Sequence, residues 1–130
     1  MVMTAADSVR PPASSVAAFG DAPVSSGDAN VDLIVRTIVE TSAPLGVLLF
    51  GSRARGDHRP DSDVDLLVVV DDAVTDTIRH AGALRMSVID VPMSMDILVV
   101  RAETLGRMRD FPGFVYREAL RDGRVLFGHV

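Results

Sequence analysis

Two acidic residues, Asp63 and Asp65, stand two positions apart at the start of the apolar run Leu66–Val70. Alternate side chains of a strand point to the same face, so these carboxylates would project together from Cα atoms roughly 7 Å apart. A third acid, Asp96, interrupts the apolar run Met95–Val100. If the two runs form neighbouring strands, the three carboxylates can converge within roughly 6 Å of one another and share a metal ion. The three acids are therefore the predicted metal ligands and catalytic residues.

A positive partner is needed because three carboxylates held close together cannot all stay ionised without one. Mg²⁺ is the predicted partner, with Mn²⁺ as an alternative, since a hard divalent cation takes oxygen ligands and shares its coordination shell with substrate phosphates. Two such cations between a triphosphate and the carboxylates would activate an attacking hydroxyl and stabilise the leaving pyrophosphate.

Gly51 and Ser52 offer the complementary half of such a site. They follow another short apolar run, where a glycine lets the backbone approach a ligand closely and Ser52 offers N–H and hydroxyl donors to phosphate oxygens. Arg53, Arg55 and Arg59 add positive charge nearby. The stretch is interpreted as a phosphate-binding turn followed by a metal-binding strand. Gly51, Ser52, Arg53 and Arg55 are the predicted nucleotide-binding residues.

Each piece of this pattern also has a structural interpretation. A D-x-D pair at the start of a strand is often a solvated strand end, and Asp61 and Ser62 are interpreted as turn or capping residues. Asp96 is harder to explain in this way, because a lone acid within a core strand is costly to desolvate. The combination of these residues, in this order, favours the functional interpretation.

The elements that must position these residues follow from the hydrophobic pattern. Helical periodicity starts after Asn30, the predicted N-cap, and Pro44 and Gly46 end this helix. The predicted elements are a helix from Asn30, strands Val47–Phe50, Val64–Val70, Met93–Val100 and Val125–Phe127, and helices from about Ala73 to Val88, around Leu105 and Met108, and at Phe114–Arg121 with Gly123 as its C′ residue. Asp71 and Asp72 are predicted to cap the second helix, with Ile78 on its apolar side. The alternation predicts an α/β (α+β) fold class with a mixed β-sheet and helices packed on it.

The composition is that of one ordinary globular domain. The 130 residues are 48% hydrophobic and 24% charged, and the formal net charge of −5 argues against a general nucleic-acid binder. There is no cysteine, and no apolar run approaches membrane-spanning length, so we expect a cytoplasmic protein without a membrane partner. Residues 1–29 are rich in Ala, Ser, Pro, Gly and Asp without a hydrophobic period, which predicts a disordered tail before a domain at residues 30–130.

The stretch GSRARG, with Asp63-Val64-Asp65 ten residues after Ser52, resembles the G-S-x10-D-x-D signature of the DNA polymerase β-type nucleotidyltransferase superfamily. FGSRARG followed by SDVDLLV is similar to the minimal nucleotidyltransferase (MNT) family within it, and EALRDGRVLFG resembles that family's last helix and strand. The resemblance covers about Val31 to Gly128 and implies a polymerase β-like nucleotidyltransferase fold. It implies that Gly51 and Ser52 bind the nucleotide phosphates, that Asp63 and Asp65 hold the metals, and that Asp96 assists the acceptor hydroxyl.

The function that this resemblance implies is transfer of AMP from ATP to a hydroxyl. Many MNT proteins resemble antitoxins that are paired with helical HEPN-type ribonuclease toxins and attach AMP to a toxin tyrosine, which makes such a toxin the expected partner. One alternative is a binding module that neutralises its partner by occlusion alone, although occlusion would not require Ser52 and three acids. Another is an aminoglycoside-type small-molecule nucleotidyltransferase, which the lack of a second domain counts against.

Overall fold

The computed structural model describes residues 22–114 and 116–130. Within these residues the chain forms five helices and four strands. In chain order they are α1 (Ala29–Ser42), β1 (Gly46–Phe50), α2 (Ser52–Arg55), β2 (Val64–Val70), α3 (Thr77–Ser87), β3 (Met95–Arg101), α4 (Ala102–Met108), α5 (Arg117–Asp122) and β4 (Arg124–Gly128). None of the helices in this part of the chain has the length and hydropathy needed to cross a membrane. Residues 1–21 of the predicted tail lie outside the described residues.

The four strands form one mixed sheet in the order β3-β2-β1-β4. β1 is antiparallel to both β2 and β4, whereas β2 and β3 run parallel. A parallel neighbour requires a crossover, which the segment containing α3 provides. The predicted mixed sheet with packed helices is confirmed, although β3 begins at Met95 rather than Met93.

The two faces of the sheet are covered by different helices. On one face, α1 and α3 pack against alternate strand residues in the larger core cluster, which includes Val31, Ile34, Val35, Ile38, Leu84, Val47, Leu49, Val64, Leu66, Val68, Val70, Ile97 and Val99. On the other face, the shorter helices α4 and α5 bury a smaller set, namely Leu48, Leu67, Val69, Val100, Leu105 and Ala119. β2 is therefore covered on both faces, as its continuous apolar sequence predicts.

Helix α1 begins upstream of its predicted cap. Asp28, not Asn30, is the N-cap, and its Oδ1 accepts hydrogen bonds from the backbone N–H groups of Asn30 at 2.8 Å and Val31 at 3.2 Å. Asp and Asn are equally good N-caps, so residue type alone could not separate the two positions. Ser26 donates to Asp32 Oδ1 from its backbone N–H at 2.8 Å and from its hydroxyl at 2.7 Å. Specific contacts therefore begin before the predicted boundary at residue 30.

Helix α3 is shorter than predicted. It spans Thr77–Ser87 instead of starting near Ala73, and Asp76 caps it by accepting a backbone N–H of the first turn at 3.0 Å. Ile78 was predicted on the apolar side but is 86% exposed, whereas Leu84 is buried. Six residues correspond to about 120° around a helix, so the two side chains cannot both face the sheet.

The acids that follow β2 have other partners than predicted. Asp71 Oδ1 accepts the backbone N–H of Ala73 at 2.8 Å and forms a turn. Asp72 Oδ1 accepts the backbone N–H of Glu103 at 3.0 Å, so it caps the start of α4 rather than α3. The prediction that these two acids cap the second helix is wrong. That helix begins only at Thr77, and Glu103 at the start of α4 lies beside Asp72 although it is 31 residues away in sequence.

Gly123 ends α5 for a different reason than predicted. The helix spans Arg117–Asp122, starting after the predicted Phe114, and Gly123 has an extended backbone with φ of −76° rather than a left-handed C′ conformation. A Cβ atom on Gly123 would overlap the carbonyl oxygen of Ala119 and crowd the Leu48 side chain. Close packing against β1, not a left-handed turn, requires the glycine.

Candidate active site

A tight turn at Gly51 joins β1 to α2. Gly51 has φ of +74° and ψ of −158°, a conformation that residues with a Cβ atom rarely adopt. A Cβ atom there would also overlap Asp65 Oδ2. Helix α2 closes at Gly56, whose backbone N–H donates to the carbonyl oxygen of Ser52 at 2.9 Å. The glycine at position 51 therefore lets the turn lie directly against the Asp65 carboxylate.

Two of the three predicted carboxylates, those of Asp65 and Asp96, belong to one face of the sheet. Asp65 and Asp96 are register partners in the parallel pair β2–β3, and partners in register project to the same side of a sheet. Asp63 lies just before β2, and its negative charge acts on Asp65. Further along this face, Leu67 and Val69 pack in the cluster covered by α4 and α5. Asp65 and Asp96 therefore face the same side of the sheet as this cluster.

Asp65 is the least exposed of the three acids, and its electrostatic surroundings are unfavourable to its charge. Burial raises the pKa of Asp65, the negative charges of Asp96 and Asp63 raise it further, and Arg55 acts in the opposite direction. The carboxylates are thus close enough to repel one another. A positive charge among them would relieve this repulsion.

Asp96 has an oppositely charged neighbour on α3. Arg85 Nη2 lies 3.8 Å from Asp96 Oδ1, and the two side chains are 47% and 61% exposed, respectively. Exposed ion pairs of this kind contribute at most about 1 kcal/mol, so Asp96 can exchange this partner readily. Within residues 22–114 and 116–130, no three His, Asp or Glu side chains are grouped closely enough to hold a metal ion. The three acids are therefore not gathered into one ligand group, in contrast to the predicted arrangement in which all three share a metal ion.

The two arginines predicted to contact phosphate have opposite environments. Arg53 is buried, and its guanidinium donates to the carbonyl oxygens of Pro60 and Ser62 in the loop before β2. Arg55 is half exposed and pairs with Asp57, with 3.3 Å between Nε and Oδ2. Because Arg55 lowers the pKa of Asp65, it lies within electrostatic reach of the acids, whereas Arg53 faces into the protein.

Two residues near the site escaped the sequence analysis. Arg85 pairs with Asp96, and Asp28 Oδ2 lies 3.4 Å from Arg53 Nη1. The capping propensity of Asp28 was a signal that could have identified it. No local pattern links Arg85 to Asp96, because their contact depends on how α3 packs beside β3.

The donor set fits a hard divalent cation. The side chains concerned are carboxylates, Asp65 and Asp96 share one face of adjacent strands, and burial together with the negative charges of Asp96 and Asp63 raises the pKa of Asp65. Oxygen donors of this kind are those that Mg²⁺ and Mn²⁺ prefer. Asp63 and Asp65 are the residues that would hold the ion, and Asp96 would join them if its ion pair with Arg85 were broken.

Comparisons with known proteins identify the family. No curated protein matches the chain. A protein from Sulfolobus solfataricus, whose crystal structure is described as that of a nucleotidyltransferase, aligns over 74% of this chain and 75% of its own, with a TM-score of 0.51 and 22% identity, which shows a shared fold. A crystal structure of a toxin–antitoxin with AMP-PNP aligns over 74% of this chain and 71% of its own, at a TM-score of 0.49 and 18% identity. The nucleotidyltransferase domain family matches residues 31–121, most of the chain, and the protein therefore belongs to that family.

Proposed function

We propose that the protein transfers AMP from ATP to a hydroxyl group of another protein, releases pyrophosphate, and depends on Mg²⁺ or Mn²⁺. The observation that carries this proposal is the register pairing of Asp65 with Asp96 on one sheet face, with Gly51 lying against Asp65. Membership of the nucleotidyltransferase domain family supports the class of reaction. The proposed AMP donor is ATP.

The chemistry assigns a separate task to each group. The acceptor oxygen forms a bond to the α-phosphorus of ATP, and the bond from that phosphorus to the oxygen of pyrophosphate breaks. Asp96 accepts the hydroxyl proton, for which its exposed carboxylate is accessible from solvent. Ser52 donates to the phosphate oxygens, and Arg55 adds positive charge. Asp63 and Asp65 would hold the Mg²⁺ ions, which would neutralise the negative charge of the triphosphate and of the carboxylates.

We propose a tyrosine of a HEPN-type toxin as the acceptor, so that the protein acts as the antitoxin. Support comes from the exposure of Asp96, which allows the attacking hydroxyl to be presented on the surface of a macromolecule. The choice of a HEPN-type partner comes from the resemblance of FGSRARG and SDVDLLV to the MNT family.

The test uses ATP labelled at the α-phosphate and, in parallel, at the γ-phosphate, with a purified HEPN-type protein as acceptor. Label from the α-phosphate should appear on the acceptor only with Mg²⁺ or Mn²⁺, and γ-label should not. Asp65→Asn should abolish the transfer. The matched control is Asp61→Asn, which makes the same chemical change at an exposed acid of the preceding loop and should leave the transfer intact.

Three results would contradict the proposal. Transfer that persists in excess EDTA would show that the reaction does not depend on a divalent metal ion. An Asp65→Asn protein that still neutralises its partner fully in cells would favour occlusion instead. Label on an aminoglycoside but not on any protein would indicate a small-molecule enzyme.

A further inference from the structure

Arg53 is the only polar or charged residue that is buried in the part of the chain covering residues 22–114 and 116–130, with 7% of its surface exposed. Removing a charged group from water is costly unless hydrogen bonds and an opposite charge compensate. A buried arginine on a four-residue helix beside an exposed loop therefore requires specific partners. Its partners indicate what it does.

The guanidinium of Arg53 binds the backbone of the loop that leads into β2. Nε and Nη2 both donate to the carbonyl oxygen of Ser62, at 3.2 and 3.0 Å, and Nη2 also donates to the carbonyl oxygen of Pro60 at 3.2 Å. Ser62 directly precedes Asp63, and the turn is closed by the Ser62 hydroxyl, which accepts the backbone N–H of Arg59 at 2.8 Å. Arg53 thus holds the backbone immediately before the first acid.

A third partner connects the same guanidinium to α1. Nη1 of Arg53 lies 3.4 Å from Asp28 Oδ2, while Asp28 Oδ1 caps the helix by accepting from Asn30 and Val31. The Asp28 carboxylate therefore binds the helix with one oxygen and Arg53 with the other. The start of α1, helix α2 and the loop before β2 meet at this single side chain.

An arginine has five N–H donors in a planar fork, and four of those of Arg53 are used in these contacts. This leaves little capacity for a phosphate. Arg55, two residues further along α2, has a half-exposed side chain whose ion pair with Asp57 is open to exchange. The two arginines of GSRARG differ in role because residues two positions apart on a helix point to nearly opposite sides of it.

We infer that Arg53 is a positioning residue that fixes the distance between the Gly51–Ser52 turn and the carboxylates of Asp63 and Asp65. The inference rests on the proposed function, in which the turn binds phosphates and the acids hold the metal. Gly51 contacts Asp65 directly, and Arg53 holds the other end of the intervening loop. A lysine could not replace it, since one ammonium group cannot span two carbonyls and a carboxylate in this fork geometry.

The experiment compares Arg53→Lys with the matched variant Arg55→Lys, each of which keeps the charge and removes the fork. Steady-state AMP transfer gives kcat and the KM for ATP, and hydrogen–deuterium exchange of the nucleotide-free protein reports on the loop at residues 57–63. We expect Arg53→Lys to lower kcat by about 10²-fold with little change in KM, because the acids are misplaced. Loop exchange should accelerate about tenfold while exchange in β2 stays unchanged. Arg55→Lys should raise KM and leave loop exchange at the wild-type rate.

The inference is wrong if Arg53→Lys raises KM while loop exchange stays at the wild-type rate, since that result would make Arg53 a nucleotide contact. It is also wrong if the loop loosens without a loss of kcat. Should Arg53→Lys fail to fold, Asp28→Asn retains the helix cap and removes only the charge partner. Faster loop exchange in that variant supports the inference, and unchanged exchange overturns it. Absence of AMP transfer by the wild type would refute the proposed function alone, because loop exchange is measured without nucleotide.

Discussion

The two faces of β2 differ in what lies against them. On the α1 and α3 face, Leu66, Val68 and Val70 are buried in a large apolar cluster. On the α4 and α5 face, the strand buries Leu67 and Val69 but starts with carboxylates at its uncovered end. Neighbouring residues of one strand therefore serve different purposes, because successive side chains point to opposite faces.

This difference separates stability from chemistry along a single strand. An apolar side chain on the face covered by α1 and α3 (the sealed face) stabilises the fold. The charges on the opposite face (the open face) repel one another and contribute nothing to folding by themselves. Adjacent positions such as Asp65 and Leu66 should consequently give opposite results on substitution. Four predictions, in order of decreasing effect, test that contrast.

The largest effect is expected for Asp65→Asn. The change keeps the shape of the side chain and removes a metal ligand, so kcat for AMP transfer should fall on the order of 10³-fold, equivalent to about 4 kcal/mol of transition-state stabilisation. Because the carboxylate is repelled by Asp96 and Asp63, the free energy of unfolding in metal-free buffer should not decrease. Labelled-ATP assays and urea denaturation measure the two quantities. A variant that lost stability would show that Asp65 supports the fold.

Leu66→Ala should give the opposite pattern. Leu66 is fully buried in the cluster beneath α1 and α3, and truncation of such a residue lowers the free energy of unfolding by about 3 kcal/mol through lost burial and a residual cavity. The kcat of the molecules that remain folded should stay close to the wild-type value. Urea denaturation and assays corrected for the folded fraction test this. A large loss of kcat per folded molecule would mean that the two faces are not independent.

Gly51→Ala should affect both properties, and Gly56→Ala is its control. Both glycines have positive φ, +74° and +86°, so each alanine strains the backbone by roughly 1–2 kcal/mol. Only at Gly51 would the new Cβ overlap Asp65; at Gly56 it meets no atom within 4 Å. We expect a loss of stability in both variants, larger in Gly51→Ala, and a loss of turnover only in Gly51→Ala. Equal turnover would remove the proposed link between the turn and the acid.

The smallest effect is expected for the pH dependence of the free energy of unfolding, to which His80 on the sealed face contributes. His80 on α3 lies 2.8 Å from the Ser42 hydroxyl at the end of α1, measured from Nε2 to Oγ, and burial lowers the pKa of His80 below its ordinary 6.5. The folded protein therefore favours the neutral ring. The stability that this provides is present above the unfolded-state pKa and is lost as the pH falls through the lowered folded-state pKa.

His80→Gln provides the comparison, because glutamine can accept or donate a hydrogen bond but does not titrate. Urea denaturation at several pH values from about 7 down to about 5 should show the wild type losing stability relative to the variant. Kinetic parameters at neutral pH should be similar for the two proteins. A constant difference in unfolding free energy across this range would contradict the prediction.

The sequence by itself determined the sheet and the order of the site residues. Val64–Val70 is apolar at every position except Asp65, which predicts a strand that is covered on both faces. The D-x-D spacing predicts, without any tertiary information, that Asp63 and Asp65 project to one face. The sequence also placed Asp96 in β3, although its register with Asp65 required the strands to be neighbours. The placement of Asp65 in β2 and of Asp96 in β3 succeeded because the pattern of a strand is a local property of the backbone.

Only the tertiary structure decided which partners the charged side chains take. Arg53 and Arg55 have the same residue type in the same motif, yet one is buried against Ser62 and Asp28 and the other is exposed. Asp96 meets Arg85 only because α3 packs beside β3. The partner of a long charged side chain depends on which elements meet in space, and neighbours that are 25 residues apart in sequence, like Arg53 and Asp28, leave no periodic signal.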